Sequence, residues 1–517
     1  MNSLIPLFVI IPLGCAFLMA MLGRFIKNIN KFITPIFMLS LVYLTFHFII
    51  NSEGTLIYKV GGFEPVNGIP IAIYMVMDGL TKLILLVISL VGFLAIFYSL
   101  SYTKQYTSER KFYVLFSLMI AGMNGIVLSG DIFNIFVFLE IAAISSYALV
   151  AFGVEKQQLE ASFKYQVLGG IASLIILLAI GLIYWNTGTL NIADISRQLT
   201  INCSSPTGTN VFIKFISVLL IAGFGLKAAI FPFHTWLPDA HSSAPSPISA
   251  MLSGVLIKAV GIYVIIRLFF NMFPLSYELS MTITVLGTIS MIIGGLLAIG
   301  QWDIKRMLAY SSISQIGYIV LGLGIGMLVL ATGGNKAVAA LSITGGLFHL
   351  LNHSIFKGLL FLSAGAVEYR TGTRDMRKMG GLSEVLPITS RTSLVGSLAI
   401  SGIPPFNGFF SKLIIIIAAI QAQYYVLAFL AVLVSVITIA YFMKLQKYTF
   451  YNNDGSKWKE KKIKEVPFSM AFSMIVMALL CITLSLLVIP DVREIFLKPA
   501  VDVLINTADY STKILGM

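Results

Sequence analysis

Charged residues are scarce in this chain. Only 11% of its 517 residues are Asp, Glu, Lys or Arg, against about 25% in a typical soluble domain. Hydrophobic residues make up 58%, and the mean hydropathy is +0.93. This composition excludes an ordinary soluble globular protein and predicts a polytopic membrane protein.

Cysteine is nearly absent as well. Cys15, Cys203 and Cys481 are scattered and form no C-x-x-C pair. This spacing gives no support for a disulfide framework, a zinc site or a cysteine-bound iron–sulfur cluster in this chain. Long polar stretches are also missing, so soluble catalysis would have to come from other subunits.

Windows of about 20 apolar residues predict an all-α protein with fourteen membrane spans. The N-terminal span lacks a basic leader and a small-residue cleavage site, so we expect it to be retained. The spans fall near residues 4–22, 32–50, 73–99, 112–128, 131–153, 161–184, 212–231, 245–268, 280–299, 306–330, 338–366, 391–420, 425–446 and 468–489.

Lysine and arginine are distributed unevenly between the loops. Alternate loops, beginning after the first span, carry 21 of them, whereas the opposite loops and the tail carry 7. The positive-inside rule therefore predicts both termini outside and the basic loops in the cytoplasm. The net charge of +13 reflects this topology and contact with the lipid bilayer, and it requires no nucleic acid.

Two apolar stretches contain helix-breaking prolines. Pro232 and Pro238 follow Lys227, and Pro404 with Pro405 precedes Lys412. Both lysines end a G-F-x-x-K pattern, although the order of proline and lysine is reversed. Broken helices at membrane depth are tolerated where they line a cavity, and paired breaks point to a transporter's ion site.

We single out seven ionisable residues inside the apolar stretches, where a charge costs at least roughly 2.5–3.5 kcal/mol at the bilayer centre. Such residues persist mainly where function needs them. They are Glu140, Lys227, Lys258, His349, His353, Lys357 and Lys412.

His349, His353 and Lys357 form a stripe of roughly 12 Å on one helix, at i, i+4 and i+8. Waters between the side chains would make a proton path, for which histidine is suited. The alternatives are a simple tie between helices and a metal site. The metal site lacks a nearby third ligand.

Glu140 and Lys227 are expected to form an ion pair that controls the protonation of the lysine, or else a static pair that holds two helices together. Lys258 and Lys412 extend the set of proton carriers unless they snorkel to an interface. For Asp78 and Lys82, at i and i+4, we favour a helix-stabilising pair.

Six segments, which span about residues 70–450 in order, form a characteristic set. They are Gly130 to Glu140, Lys227 with Pro232-Phe-His-Thr-Trp-Leu-Pro-Asp-Ala-His241, Ser253 to Lys258, Asp303 to Tyr318, His349 to Lys357 and Gly402-Ile-Pro-Pro-Phe-Asn-Gly-Phe-Phe-Ser-Lys412. Together these segments resemble the antiporter-like membrane subunits shared by Mrp-type cation/proton antiporters, respiratory complex I and energy-converting membrane-bound hydrogenases.

The resemblance implies two inverted five-helix repeats, each with a discontinuous helix. The expected division is residues 1–110 (helices 1–3), 111–270 (first repeat), 271–450 (second repeat) and 451–517 (cytoplasmic loop, last helix and external tail). It also implies that the Glu140 carboxylate biases Lys227, the proton-holding lysine, and that Lys412 is the exit-side carrier. The central relay that it implies consists of Lys258, His349, His353 and Lys357. Accessory candidates are His234, His241 and Asp78.

Within the family, the chain most resembles the D-type member of Mrp antiporters and its hydrogenase counterparts. We expect it in a prokaryotic plasma membrane. Three hypotheses stay open: a Na⁺/H⁺ secondary antiporter, the pump module of a hydrogenase or complex I-like oxidoreductase, and a passive scaffold. Other hydrophobic subunits are expected partners. No cofactor is expected in this chain, whereas iron–sulfur clusters, nickel or flavin would belong to soluble redox subunits. Sodium, if moved, would cross through a partner.

Overall fold

The computed structural model describes residues 1–23, 25–26, 29–65, 69–106, 108–203, 209–452 and 455–516. The chain is a multi-pass helical membrane protein. The α-helices are α1 Leu7–Leu22, α2 Asn30–Asn51, α3 Gly79–Tyr102, α4 Glu109–Leu128, α5 Ile132–Val150, α6 Lys156–Thr187, α7 Ile192–Cys203, α8 Thr209–Lys227, α9 Trp236–Ser243, α10 Ser246–Met251, α11 Tyr263–Asn271, α12 Tyr277–Ile299, α13 Ile304–Ala331, α14 Lys336–Thr371, α15 Pro387–Ser401, α16 Asn407–Gln421, α17 Tyr425–Gln446, α18 Ser456–Glu460, α19 Phe468–Thr483, α20 Pro490–Phe496, α21 Lys498–Ile505 and α22 Thr507–Leu515.

Shorter elements complete the described part of the chain. The 3₁₀-helices are Asn2–Leu4, Val60–Gly62, Thr103–Gln105, Met376–Lys378 and Leu484–Val488, and π-helices cover Leu252–Ile262 and Lys447–Tyr451. Two strands, β1 Leu56–Lys59 and β2 Tyr74–Met77, pair antiparallel with Leu56 opposite Met77. The predicted third span therefore begins six residues later than expected, because residues 74–77 pair as a strand before α3 starts.

The predicted spans are confirmed by the helices. Twelve helical segments of the described chain are long and apolar enough to cross a membrane. The two remaining predicted spans, near 212–231 and 391–420, are occupied by α8 and by the pair α15 and α16. The division into repeats at residues 110, 270 and 450 stays a prediction.

Both predicted breaks are present. The helix that contains Lys227 stops at that residue and resumes at Trp236 as α9. The second interruption separates α15, which ends at Ser401, from α16, which begins at Asn407. Proline supplies no backbone donor and crowds the preceding turn, so each helix ends near its prolines.

The most deeply buried helices lie at the centre of the bundle. In the most hydrophobic 18-residue stretches within 246–271 and 336–371, every residue is buried, whereas only 39% of the corresponding stretch of α6 is. The first of these segments contains α10, the π-helix and α11, and the second is α14. The helices that carry Lys258, His349, His353 and Lys357 are therefore enclosed by protein, while α6 presents an apolar face outward.

Candidate functional site

Glu140 and Lys227 are connected through a serine. The Ser173 hydroxyl on α6 donates to the Glu140 carboxylate on α5 and accepts from Lys227 Nζ at 3.0 Å. The Tyr147 hydroxyl lies 3.4 Å from the same Nζ. Within the described residues no direct ion pair within 4.0 Å joins the two charges, so Ser173 replaces the direct contact that the sequence suggested.

Ser173 has two acceptors for one proton. Its hydroxyl also lies 3.0 Å from the Gly169 carbonyl one turn earlier on α6. A hydroxyl carries a single hydrogen and two lone pairs. Rotation of that hydrogen between Glu140 and Gly169 would make or break the path to Lys227 without any movement of the backbone.

Lys258 lies within the π-helix and is completely buried. Its Nζ donates to the Ser253 carbonyl of the preceding turn, and the Ser253 hydroxyl lies 2.7 Å from Ser312 Oγ on α13. π-helical segments are rare and are frequently found at functional sites. Lys258 points into the bundle and does not snorkel to an interface.

The stripe on α14 is buried along its whole length. His349 Nδ1 lies 3.0 Å from Ser411 Oγ and Nε2 lies 3.1 Å from Gln315 Oε1, so this ring links α14 to α16 and α13. Lys357 Nζ donates to the Leu308 carbonyl at 2.7 Å. The rings of His349 and His353 are 6.4 Å apart, which agrees with the expected spacing.

His353 and His241 have the least satisfied polar atoms of the site. Both are fully buried, and no described protein group hydrogen-bonds either ring nitrogen of either residue. His241 stacks on Phe361 of α14 at 4.9 Å between ring centroids. Buried polar atoms are usually paired with protein or with ordered water, so these two rings fit a hydrated path.

Lys412 is 3% exposed and lies at the second break. Its Nζ donates to the Ile400 carbonyl at 2.8 Å in the last turn of α15, and Ser435 Oγ is 3.4 Å away. The ammonium also lies over the Tyr318 ring at 4.9 Å. Gly408 permits this approach of the two half-helices, because a Cβ there would lie 1.9 Å from the Ala399 carbonyl oxygen.

The buried row consists of Glu140, Lys227, Lys258, His349, His353, Lys357 and Lys412. The remaining accessory candidates, His234 and Asp78, lie apart from this row. His234 lies in the first break, where its ring is 5.4 Å from Phe231. Asp78 precedes α3 and binds Arg267 of α11 through two hydrogen bonds of 2.7 and 2.9 Å, while Lys82 donates to the Ser52 carbonyl. The expected Asp78–Lys82 pair is therefore wrong, because the guanidinium of Arg267 occupies both carboxylate oxygens.

Metal binding gains no support from the side chains in the described ranges. They contain no group of three or more His, Cys, Asp or Glu residues placed to hold an ion.

Comparisons with known proteins identify the family to which this chain belongs. Residues 129–438 match the family model described as "NADH:quinone oxidoreductase/Mrp antiporter, TM". The chain is 32% identical over 468 residues to the D-type subunit of the Na(+)/H(+) antiporter of Alkalihalophilus pseudofirmus, covering 90% of this chain and 89% of that protein. This chain belongs to the antiporter-like family.

Other members of the antiporter-like family come from respiratory complexes. The N-type subunit of the NADH-quinone oxidoreductase of Desulforudis audaxviator is 35% identical over 393 residues, covering 75% of this chain and 74% of that protein. A chain of the archaeal membrane-bound sulfane sulfur reductase has the same fold, with a TM-score of 0.86, 30% identity and 99% of both chains covered. The resemblance seen in the sequence is thereby confirmed.

The family match includes the whole buried row and both breaks, and it excludes Asp78. Sequence reasoning missed Ser173, Tyr147, Gln315, Ser411 and Ser435, because uncharged residues in an apolar helix carry no distinctive signal. Arg267 was missed although it lies inside the predicted span at 245–268, where its charge was the same signal that identified Lys258.

Proposed function

We propose that this chain is the proton-translocating antiporter-like subunit of a multisubunit membrane complex. Protons would move along the buried row between the face that carries the basic loops and the opposite face. In this proposal, Glu140 and Ser173 control the protonation of Lys227. The central path consists of Lys258, His349, His353 and Lys357. Lys412 is the carrier on the exit side.

One observation carries this proposal. Lys227, Lys258, Lys357 and Lys412 are nearly or fully buried, and no carboxylate within the described residues lies within ion-pair distance of any of them. Their partners are backbone carbonyls and hydroxyls. A lysine kept for stability alone is normally paired, because a buried charge is costly. Lysines that hold and release protons are the alternative that accounts for all four.

Replacing Lys227 by alanine tests this function. Coupled proton transport in inverted membrane vesicles should be abolished while the complex still assembles. Lys214 lies on the same helix, is exposed and pairs with Glu278 at 3.5 Å, so Lys214→Ala is a matched control that should transport normally. Wild-type transport by Lys227→Ala would overturn the proposal and favour a passive scaffold.

The driving force separates two versions of this function. A secondary antiporter would exchange sodium for protons, with sodium crossing through a partner. A redox pump would be driven by soluble subunits that hold iron–sulfur clusters, nickel or flavin, and the likeness to the sulfane sulfur reductase chain supports this second candidate. Mass spectrometry and metal and flavin assays of the complex purified in mild detergent decide between them. Small hydrophobic partners without metals would indicate the antiporter.

We also propose a location for the chain, the prokaryotic plasma membrane, with both termini outside. The 21-to-7 distribution of basic residues supports this orientation. Single cysteines placed at Lys59 and Lys104, in loops expected on opposite faces, would be labelled from outside and from inside respectively by an impermeant maleimide. The reverse labelling would refute this orientation.

A further inference from the structure

A buried ion pair lies beneath the face that carries the basic loops and has no role in the row described above. Lys305, in the first turn of α13, is 2% exposed, and its Nζ lies 2.6 Å from Glu368 Oε2 near the end of α14. The same Nζ donates to the Ala244 carbonyl at 3.1 Å. Glu368 keeps 29% of its side chain exposed, so this pair joins the surface to the interior.

The pair is aligned with the central row. Glu368 follows Lys357 by 11 residues on α14, which is about three turns and places both side chains on the same face about 16 Å apart. On α13, the Leu308 carbonyl that accepts from Lys357 lies one turn beyond Lys305. Two adjacent helices therefore present the ion pair and Lys357 along one line.

His241 occupies the gap between them. Its ring stacks on Phe361, which lies one turn after Lys357 and two turns before Glu368. Ala244, whose carbonyl accepts from Lys305 Nζ, lies three residues after His241 along the chain. With both ring nitrogens free of described protein partners, His241 can take a proton from one side and release it to the other.

We propose that Glu368 and Lys305 form an input branch, through which protons reach the central row from the basic face. The proposal rests on the proposed function. Glu368 takes a proton from solvent at its carboxylate. The Lys305 ammonium releases a proton towards His241 and regains one from Glu368, so that one N–H bond is broken and one is formed. His241 then passes its proton towards Lys357 and Lys258.

A purely structural ion pair makes different demands on its residues. Two helices would be held together as well by arginine as by lysine, and arginine can bind a carboxylate through two hydrogen bonds. Arginine, however, stays charged and cannot release its proton. Lys305→Arg therefore separates the two roles. Glu368→Asp and Glu368→Gln provide a second test of the two roles, because only aspartate keeps a carboxyl group that can bind and release a proton.

The experiment measures proton movement into inverted membrane vesicles that contain the whole complex. It is started by sodium or by the electron donor, according to which drives the wild type. Lys305→Arg and Glu368→Gln should lower the initial rate at least about a hundredfold, the lower end of what a positioned proton carrier contributes, and Glu368→Asp should recover part of it. Assembly should be unchanged. Wild-type rates in both Lys305→Arg and Glu368→Gln would overturn the input branch.

A second Lys–Glu pair provides the matched control. Lys31 and Glu109 lie 2.9 Å apart with side chains about one quarter exposed, outside the row. Lys31→Arg and Glu109→Gln should leave the rate unchanged. Lys227→Ala distinguishes the two proposals: if it abolishes transport while the variants of Lys305 and Glu368 transport normally, only the input branch fails. If Lys227→Ala itself transports normally, the proposed function fails.

Discussion

Ser173→Ala is the sharpest test of the link between Glu140 and Lys227. The substitution removes one oxygen and with it the contacts to the Glu140 carboxylate and to Lys227 Nζ. A hydrogen bond to a charged group contributes about 1.5–3 kcal/mol. If the equivalent of one such bond is lost from the rate-limiting proton transfer, transport should slow by roughly 10- to 150-fold.

The assay is the initial rate of proton movement in membrane vesicles, normalised to the amount of assembled complex. Ser173→Thr keeps the hydroxyl and should retain most of the rate. Ser217→Ala is the matched control, because Ser217 is buried on the helix of Lys227 and, among the described residues, bonds only the Ile213 carbonyl of its own helix. A wild-type rate in Ser173→Ala would refute the bridge.

Two further predictions concern stability. Asp78→Asn leaves the buried Arg267 charge unpaired and should cost about 3–5 kcal/mol, whereas Asp78→Leu with Arg267→Met should cost much less. Equal losses of thermal stability in the two variants would contradict this. Asp131 lies one residue before the α5 span and caps that helix through Asn134 N, and burial raises its pKa to about 6. Because this folded-state pKa exceeds the unfolded value near 3.9, the charged carboxylate destabilises the fold as pH rises through about 4–6. Asp131→Asn, which still caps the helix, should raise the unfolding temperature at pH 7.5 and leave it unchanged near pH 4. A gain of equal size at both pH values would contradict it.

The sequence predicted the parts of the site whose signals are local. A lysine or a histidine inside an apolar stretch is visible without knowledge of its neighbours, and a proline marks a helix break by itself. Both breaks and the buried positions of Lys227, Lys258, His349, His353, Lys357 and Lys412 follow from such signals, as do the fourteen spans.

The partners could not be predicted, because they depend on packing between distant segments. Asp78 and Arg267 are 189 residues apart in the sequence, and Ser173 and Lys227 are 54 residues apart. Lys305 looked like a loop residue next to Arg306, but α13 begins at Ile304 and packing buries Lys305 beneath the basic face. The π-helix around Lys258 also had no sequence signal, since its residues are ordinary helix formers with two glycines.

The reversed order of proline and lysine at the two breaks is explained by helix ends. Lys227 is itself the last residue of α8, whereas Lys412 reaches back from α16 to the Ile400 carbonyl in the last turn of α15. Lys227 is thus placed in the last turn of one half-helix, and the Lys412 ammonium meets the last turn of another; the helix dipole at such carboxyl ends stabilises positive charge by about 0.3–2 kcal/mol.

The two ends of the row nevertheless differ in what can compete for the proton. A carboxylate, Glu140, reaches Lys227 through Ser173, whereas Lys412 is met by a carbonyl, the Ser435 hydroxyl and the face of Tyr318. The carboxylate that reaches Lys227 has no counterpart among these partners of Lys412. In the proposed function, a change of charge at Glu140 would therefore act first on the Lys227 end of the row.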